Sequence, residues 1–319
     1  MLNGYSILNQ RLCAGPLTEA TAWVDLLTPS KEEEKQVEAL CGIEIPTIEE
    51  MREIEISSRL YNEDGATFMT AWVLSQSDKD EPLVSPITFI LAGTRLITLR
   101  YHEPRFFATF AARAQKSPIA GSSADAVLVG LLEASIDRIA DIIEKAAHDI
   151  DALSREIFGQ PASRRAVGFD YRDKLVRLGQ KGDLLSDIRE SITSLDRLFG
   201  YLGLAAGERR VDKELKARVK TLSRDARSLI DHLAFVSQKV TFLLDATLGL
   251  INIEQNQIIK IFSVAAVVFL PPTLIASIYG MNFQFMPELD EPWAYPAALG
   301  AMVLSAVLPY LFFKHKGWL

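Results

Sequence analysis

The string Tyr279-Gly280-Met281-Asn282-Phe283 joins a residue that frees the backbone to one that carries a neutral amide oxygen. Gly280 exposes a carbonyl oxygen and permits a turn, and Asn282 supplies the amide. Neutral oxygens set in a ring suit a hard cation that keeps its water, because magnesium dehydrates reluctantly and demands octahedral oxygen. Carboxylates in the same ring would hold such an ion too tightly to pass it. The bland alternative is a helix end capped by Gly and Asn. Upstream, Asn252 and Asn256 precede, and Ser263, Thr273 and Ser277 lie within, a run from Ile261 to Ile278 that is otherwise apolar, and all five add uncharged oxygens.

The elements that must position these residues are two apolar runs, Ile261 to Ile278 and Trp293 to Phe313, neither with a charged residue. Each approaches the roughly 20 residues a helix needs to cross a hydrocarbon core. Lys260 precedes the first run, Lys314 and Lys316 follow the second, and the connection between them carries Glu288, Asp290 and Glu291 without Lys or Arg. The positive-inside bias therefore predicts both termini in the cytosol and the acidic loop outside. Met1-Leu2-Asn3-Gly4-Tyr5 has no basic segment followed by an apolar core, so no signal peptide is expected.

Residues 1–120 read as a cytosolic α/β domain. Ser30 with Glu33 and Thr47 with Glu50 have capping-box spacing. Thr67 to Val73 follows the turn Glu63-Asp64-Gly65 and reads as a strand, and Ile87–Leu91 with Leu96–Leu99 reads as a hairpin. Residues 121–257 then repeat apolar residues at alternating 4 and 3. One series runs from Leu132 through Ile143 and Ile150 to Ile157, a second from Leu185 to Leu202, and a third from Leu215 to Leu243. These predict three long helices packed side by side, broken at Gln160-Pro161-Ala162-Ser163 and near Gly207. Nothing stops the third helix between about Val211 and Pro271. Continued to Tyr279 it would run on the order of 100 Å. The expectation is an α+β membrane protein with a helical stalk continuous with a first span at 258–280. An external loop at 281–292, a second span at 293–313 and a basic tail at 314–319 complete it.

Charge excludes some functions. The chain has 34 Lys and Arg against 41 Asp and Glu, a formal net charge of -7, which argues against nucleic acid as a partner. Cys13 and Cys41 form no C-x-x-C, and the four histidines are scattered, so no zinc site is indicated. Neither apolar run contains a carboxylate, Lys or Arg of the kind proton-coupled carriers use, and no Walker motif is present. Two spans cannot enclose a path alone, so a pore requires a symmetric oligomer with one helix per subunit around the axis. The first run, with Ser263, Thr273 and Ser277, is the better lining.

The combination of Tyr279 to Phe283, then Phe285-Met286-Pro287-Glu288-Leu289, Tyr295-Pro296 and a Lys-containing tail ending Trp318-Leu319 resembles the CorA family of magnesium channels. Asn252 to Asn256 and Phe269-Leu270-Pro271-Pro272-Thr273 resemble its proteobacterial branch. The resemblance implies a homopentameric funnel in the inner membrane that passes Mg2+, with Co2+ and Ni2+ as secondary substrates. Mg2+ is then substrate and regulatory ligand, and no other cofactor is implied. It implies an outer filter at Tyr279, Gly280, Met281, Asn282 and Phe283, in which Gly280 and Asn282 meet the metal. It implies polar pore positions at Asn256, Thr273 and Ser277 and a hydrophobic constriction at Ile259, Phe262 and Leu270. Asp225 and Asp245 fall where the family associates stalk acids with cation sensing. Three rivals stand beside this. One is a zinc transporter of the ZntB-like branch, which usually departs from Gly-Met-Asn. The others are a membrane-anchored adaptor and a membrane enzyme, the last without a nucleophile or phosphate loop to support it.

Overall fold

The computed structural model describes residues 1–77, 82–119, 123–159, 171–208, 212–282, 286–287 and 291–317. Phe283, Glu288, Asp290, Trp318, Leu319 and the break at Gln160 to Ser163 lie outside the described residues. The chain divides into two units, Met1–Leu243 and Leu244–Leu319.

In the first unit a seven-stranded mixed sheet has the order β2-β1-β3-β7-β6-β5-β4. Its strands are β1 (Leu2–Leu8), β2 (Arg11–Gly15), β3 (Thr21–Leu27), β4 (Leu60–Glu63), β5 (Ala66–Ser75), β6 (Leu83–Ala92) and β7 (Arg95–Arg100). Only β3 and β7 run parallel, in the register Val24↔Ile97. The expected hairpin is β6–β7, paired as Ala92↔Arg95, and the expected strand is β5. The β4–β5 turn places Asp64 at φ 49° and Gly65 at φ 75°, the left-handed pair that matches strand twist in a tight hairpin.

Period-two alternation sends alternate side chains of the central strands to opposite faces. Val24, Leu26, Ile90, Ile97 and Leu99 pack with Val37, Ile43 and Met51, which come from α1 (Lys31–Cys41), the turn after it and α2 (Ile48–Met51). Both helices begin with the expected capping boxes, Ser30 with Glu33 and Thr47 with Glu50. The other face carries Trp23 and Phe89 against Phe107 and Phe110 of α3 (Arg105–Lys116). Covering both faces explains why the central strands read as nearly continuous apolar runs.

Under α3 lies a buried polar network. Arg100 binds Asp25 through two bonds, Nε to Oδ1 at 2.9 Å and a second nitrogen to Oδ2 at 2.8 Å. Thr98 Oγ1 donates to Asp25 and accepts from Trp23 Nε1. The Arg100 guanidinium also stacks 4.5 Å over the Phe107 ring and donates to the His102 carbonyl. Burial pushes His102 down to about 4.

Three long helices complete the unit: α4 (Ala124–Phe158), α5 (Tyr171–Glu208) and the first part of α6 (Lys213–Tyr279). The expected stripes on α4 and α5 are buried throughout, and on α6 only Leu229 is left half-exposed. Ion pairs stitch the helices together. Glu133 of α4 takes Arg218 of α6 in a two-point contact, Asp149 takes Lys181 of α5 at 2.6 Å, and Asp151 takes Lys239. Helix α5 also covers the open edge of β5. The N–H of Trp72 donates to Ser194 Oγ at 2.9 Å, and that of Leu74 to Ser191 Oγ at 3.2 Å. An edge that would otherwise offer unpaired N–H groups is thereby closed.

The second unit holds the remainder of α6 and helix α7 (Ala294–His315). α7 has no buried residue, and Val303, Leu304 and Leu308 are each at least 60% exposed. Both helices are long and apolar enough to span a membrane. A bare apolar surface of this extent does not persist in water.

Candidate ion-conduction site

The candidate site belongs to the second unit, because α6 keeps its helical course until Tyr279. At 3.6 residues per turn, Asn252, Asn256, Ile259, Phe262, Ala266, Leu270, Thr273 and Ser277 fall within an arc of about 120°. All eight are exposed, whereas Val264, outside this arc, is buried. From Asn256 to Ser277 the stripe spans about 30 Å, the thickness of a hydrocarbon core. One face of one helix thus carries every expected pore-lining residue, with amide and hydroxyl groups toward its ends and Ile259, Phe262 and Leu270 between them.

The oxygens on this face are acceptors. Thr273 Oγ1 donates its proton back to the Phe269 carbonyl at 2.7 Å, so what it offers outward is a lone pair. The same turn contains Pro271 and Pro272, whose missing N–H groups leave the Val267 and Val268 carbonyls without helical partners.

At the C-terminal end of α6 the backbone is tied down. Gly280 N–H donates to the Ala276 carbonyl at 2.9 Å, and Met281 N–H to the Ile278 carbonyl at 3.2 Å. Gly280 does not adopt a positive φ, so a left-handed cap is not what requires glycine here. A Cβ at this position would sit 3.1 Å from the Ala276 carbonyl oxygen, which is a tight contact. Met281 and Asn282 follow, both exposed. The string therefore starts at a helix C-terminus, where the aligned peptide dipoles present about half a negative charge and the last carbonyls lack partners. Cations are favoured there before any side chain is counted. The described part of the string supplies the amide of Asn282.

The two stalk acids fall in different units. Asp225 lines a cleft of about 270 Å³ between α4 and α6, with Glu133, Asp137, Glu214 and Arg218. Burial raises the Asp137 carboxyl; Arg113 opposes that, and Glu133, Asp141 and Asp225 reinforce it. Sequence reasoning had picked Asp225 without these neighbours. Glu133, Asp137 and Asp141 recur every four residues on α4, which is the signal that could have found them. Asp245 is exposed in the second unit. Among the described residues no three His, Cys, Asp or Glu side chains converge to hold a metal ion.

An α/β domain, long helices and two lipid-type spans with a polar stripe on one of them define the class of a membrane transport protein. The model of the family described as "CorA-like Mg2+ transporter protein" matches residues 18–315. Proteins named "Magnesium transport protein CorA" from Yersinia pestis and Escherichia coli K12 are each 36% identical over 325 residues, covering all of both chains. One of the same name from Pectobacterium atrosepticum is 36% identical over 324 residues. The solved CorA magnesium transporter of Methanocaldococcus jannaschii superposes with a TM-score of 0.79 at 19% identity, over 100% of this chain and 99% of that one. The ZntB cytoplasmic domain of Vibrio parahaemolyticus is a more distant likeness in fold, with a TM-score of 0.56 at 11% identity over 78% of this chain and 97% of that one. The chain belongs to the CorA family.

Proposed function

We propose that the chain is one subunit of a homopentameric channel that passes Mg2+, and secondarily Co2+ and Ni2+, across a bacterial inner membrane. Cytosolic Mg2+ closes it. The observation that carries this reading is that Asn256, Ile259, Phe262, Leu270, Thr273 and Ser277 share one exposed face of α6, which ends at the Gly280-Met281-Asn282 string. Full-length relatives named as magnesium transport proteins support the choice of ion.

In this reading five copies of the α6 face surround an axis. Ile259, Phe262 and Leu270 make a dry constriction, which closes by excluding water. Asn256, Thr273 and Ser277 offer acceptors to the hydration shell of the ion. Gly280 and Asn282 form the outer filter, where neutral oxygens replace outer-shell contacts without stripping the inner waters. Asp225 and Asp245 serve as the sensor: unneutralised acids on neighbouring subunits repel, and divalent ions bridging them hold the closed state. Both termini face the cytosol.

The test is ion flux into liposomes holding the purified protein, read with an entrapped magnesium indicator. Uptake saturable in Mg2+ and competed by Co2+ supports the proposal. Uptake of Zn2+ with none of Mg2+ would replace it with the ZntB-like reading, and no cation flux at all would leave the apolar hairpin as an anchor.

A further inference from the structure

The outer ends of α6 and α7 leave a groove of about 360 Å³ between them, walled by Ala276, Tyr279, Gly280, Ala294, Tyr295, Ala298, Leu299 and Met302, with Glu291 at its mouth. Small residues on both helices create the space: Ala276 and Gly280 are four apart on one, and Ala294 and Ala298 four apart on the other. Between Glu291 and Met302 the groove extends on the order of 15 Å along α7. Its lining is largely apolar. Among the described lining residues one carries a formal charge, Glu291, whose carboxylate accepts a hydrogen bond from Trp293 Nε1 at 3.1 Å. Tyr279 and Tyr295 line the same groove.

A carboxylate and two aromatic rings lining one largely apolar groove match an ammonium head on a hydrocarbon tail. The rings attract the cation through their faces, the carboxylate neutralises it, and the slot takes the tail. A sulfate head would meet like charge at the same place. We propose that this groove is a binding site for single-chain amphiphiles with an ammonium head group. Tyr279 and Gly280 wall the groove and also begin the string assigned above to the outer filter. An occupant therefore presses on the back of that string and slows cation uptake, a consequence that rests on the proposed function, whereas binding does not.

The probe is brominated dodecyltrimethylammonium added to the full chain in lipid nanodiscs, read by quenching of tryptophan fluorescence. The expected result is saturable quenching that disappears in Trp293→Phe and is weak for the brominated dodecyl sulfate. Glu291→Gln should raise half-saturation for the ammonium probe about tenfold and leave a neutral dodecyl maltoside analogue unchanged. Ala276→Leu and Ala298→Leu fill the groove from different helices, and each should abolish saturation. The site is refuted by equal quenching from all three head groups, or by saturation that survives both filling variants in protein of unchanged circular dichroism. It is equally refuted if those variants change the native oligomeric mass but not the quenching, since a second copy would then occupy the groove. Normal binding without slowed uptake would overturn the coupling to the filter alone.

Discussion

Removing the Asn282 amide isolates what the outer string contributes. The side chain is exposed just beyond the end of α6, and the preceding N–H groups of Gly280 and Met281 are already held by the Ala276 and Ile278 carbonyls. Asn282→Ala therefore leaves the helix end intact and deletes one neutral oxygen per subunit. A hydrogen bond of this kind is worth about 1 kcal/mol net. In the proposed ring of five the loss is about 5 kcal/mol, or on the order of a thousandfold or more in occupancy by the hydrated ion. Mg2+ uptake into liposomes should fall to background while native mass in detergent stays that of the wild-type oligomer. Asn282→Asp should also impair uptake, because a carboxylate from each subunit of the proposed ring, added to the negative end of the helix dipoles, would bind the ion and release it slowly. Near-normal, still selective uptake in Asn282→Ala would refute the assignment of this residue to the filter.

Four further outcomes follow from the first unit and the stalk. Asp25→Ala strands the Arg100 guanidinium under α3 and should cost about 3–5 kcal/mol, seen as a large drop in the thermal midpoint of the purified protein; an unchanged midpoint would show the pair to be dispensable. Replacing Ser191 and Ser194 together by Ala should cost about 1–3 kcal/mol for each N–H left bare and speed hydrogen exchange at Trp72 and Leu74, with slow exchange at both sites counting against the edge-capping argument. His102 sits at about 4 when folded, below its usual 6.5. The unfolded chain binds the extra proton, so stability rises with pH across that window and is lost by about 3 kcal/mol as pH falls from above 6.5 to below 4. His102→Gln should flatten that slope in denaturant unfolding. Asp225→Asn with Asp245→Asn should alter both the protection from protease expected at millimolar Mg2+ and the Mg2+ dependence of current, and identical run-down in wild type and double variant would remove these acids from the sensor.

The long helices were legible because their information is local. Leu132, Ile139, Ile143 and Ile150 repeat on one face whatever they pack against, and the structure buries all of them. Capping boxes at Ser30 and Thr47 and the turn at Asp64-Gly65 are equally local. The sheet was only half legible. β5, β6 and β7 could be read from their β-branched runs and turns, whereas the parallel pairing of β3 with β7 joins residues more than 70 apart, and the β1–β2 hairpin turns at Asn9-Gln10 without the glycine that marks such turns. The same holds for the site. The pore stripe follows from helix geometry once α6 is continuous, so residues named from sequence fall on one face. The company of Asp225 does not, since α4 and α6 meet through pairs such as Glu133 and Arg218, 85 residues apart. Asp25 gives no local sign of its role either; a strand acid is marked as buried only when Arg100 and Phe107 close over it.

The placement of charge along the second unit explains why a stripe of weak acceptors is the workable solution. A charged side chain at the centre of a bilayer costs about 3 kcal/mol on insertion scales, and copies converging on an axis would add mutual repulsion. Carboxylates there would also bind a divalent ion more tightly than passage allows. The chain keeps formal charge out of both apolar runs and sets it at their ends, with Lys260 before the first, Lys314 and Lys316 after the second, and Glu291 between them. In the proposed pore, what is left to meet the ion is the Asn256 amide just before the span, the Thr273 and Ser277 hydroxyls within it and the dipole at the end of α6. Each of these would attract a hydrated cation weakly without holding it. Because Thr273 spends its proton on the Phe269 carbonyl, even its hydroxyl faces outward as an acceptor. A mid-span substitution that introduces a charge, such as Thr273→Asp, thus conflicts with both insertion and release, which is the physical reason the oxygen donors in this helix are neutral.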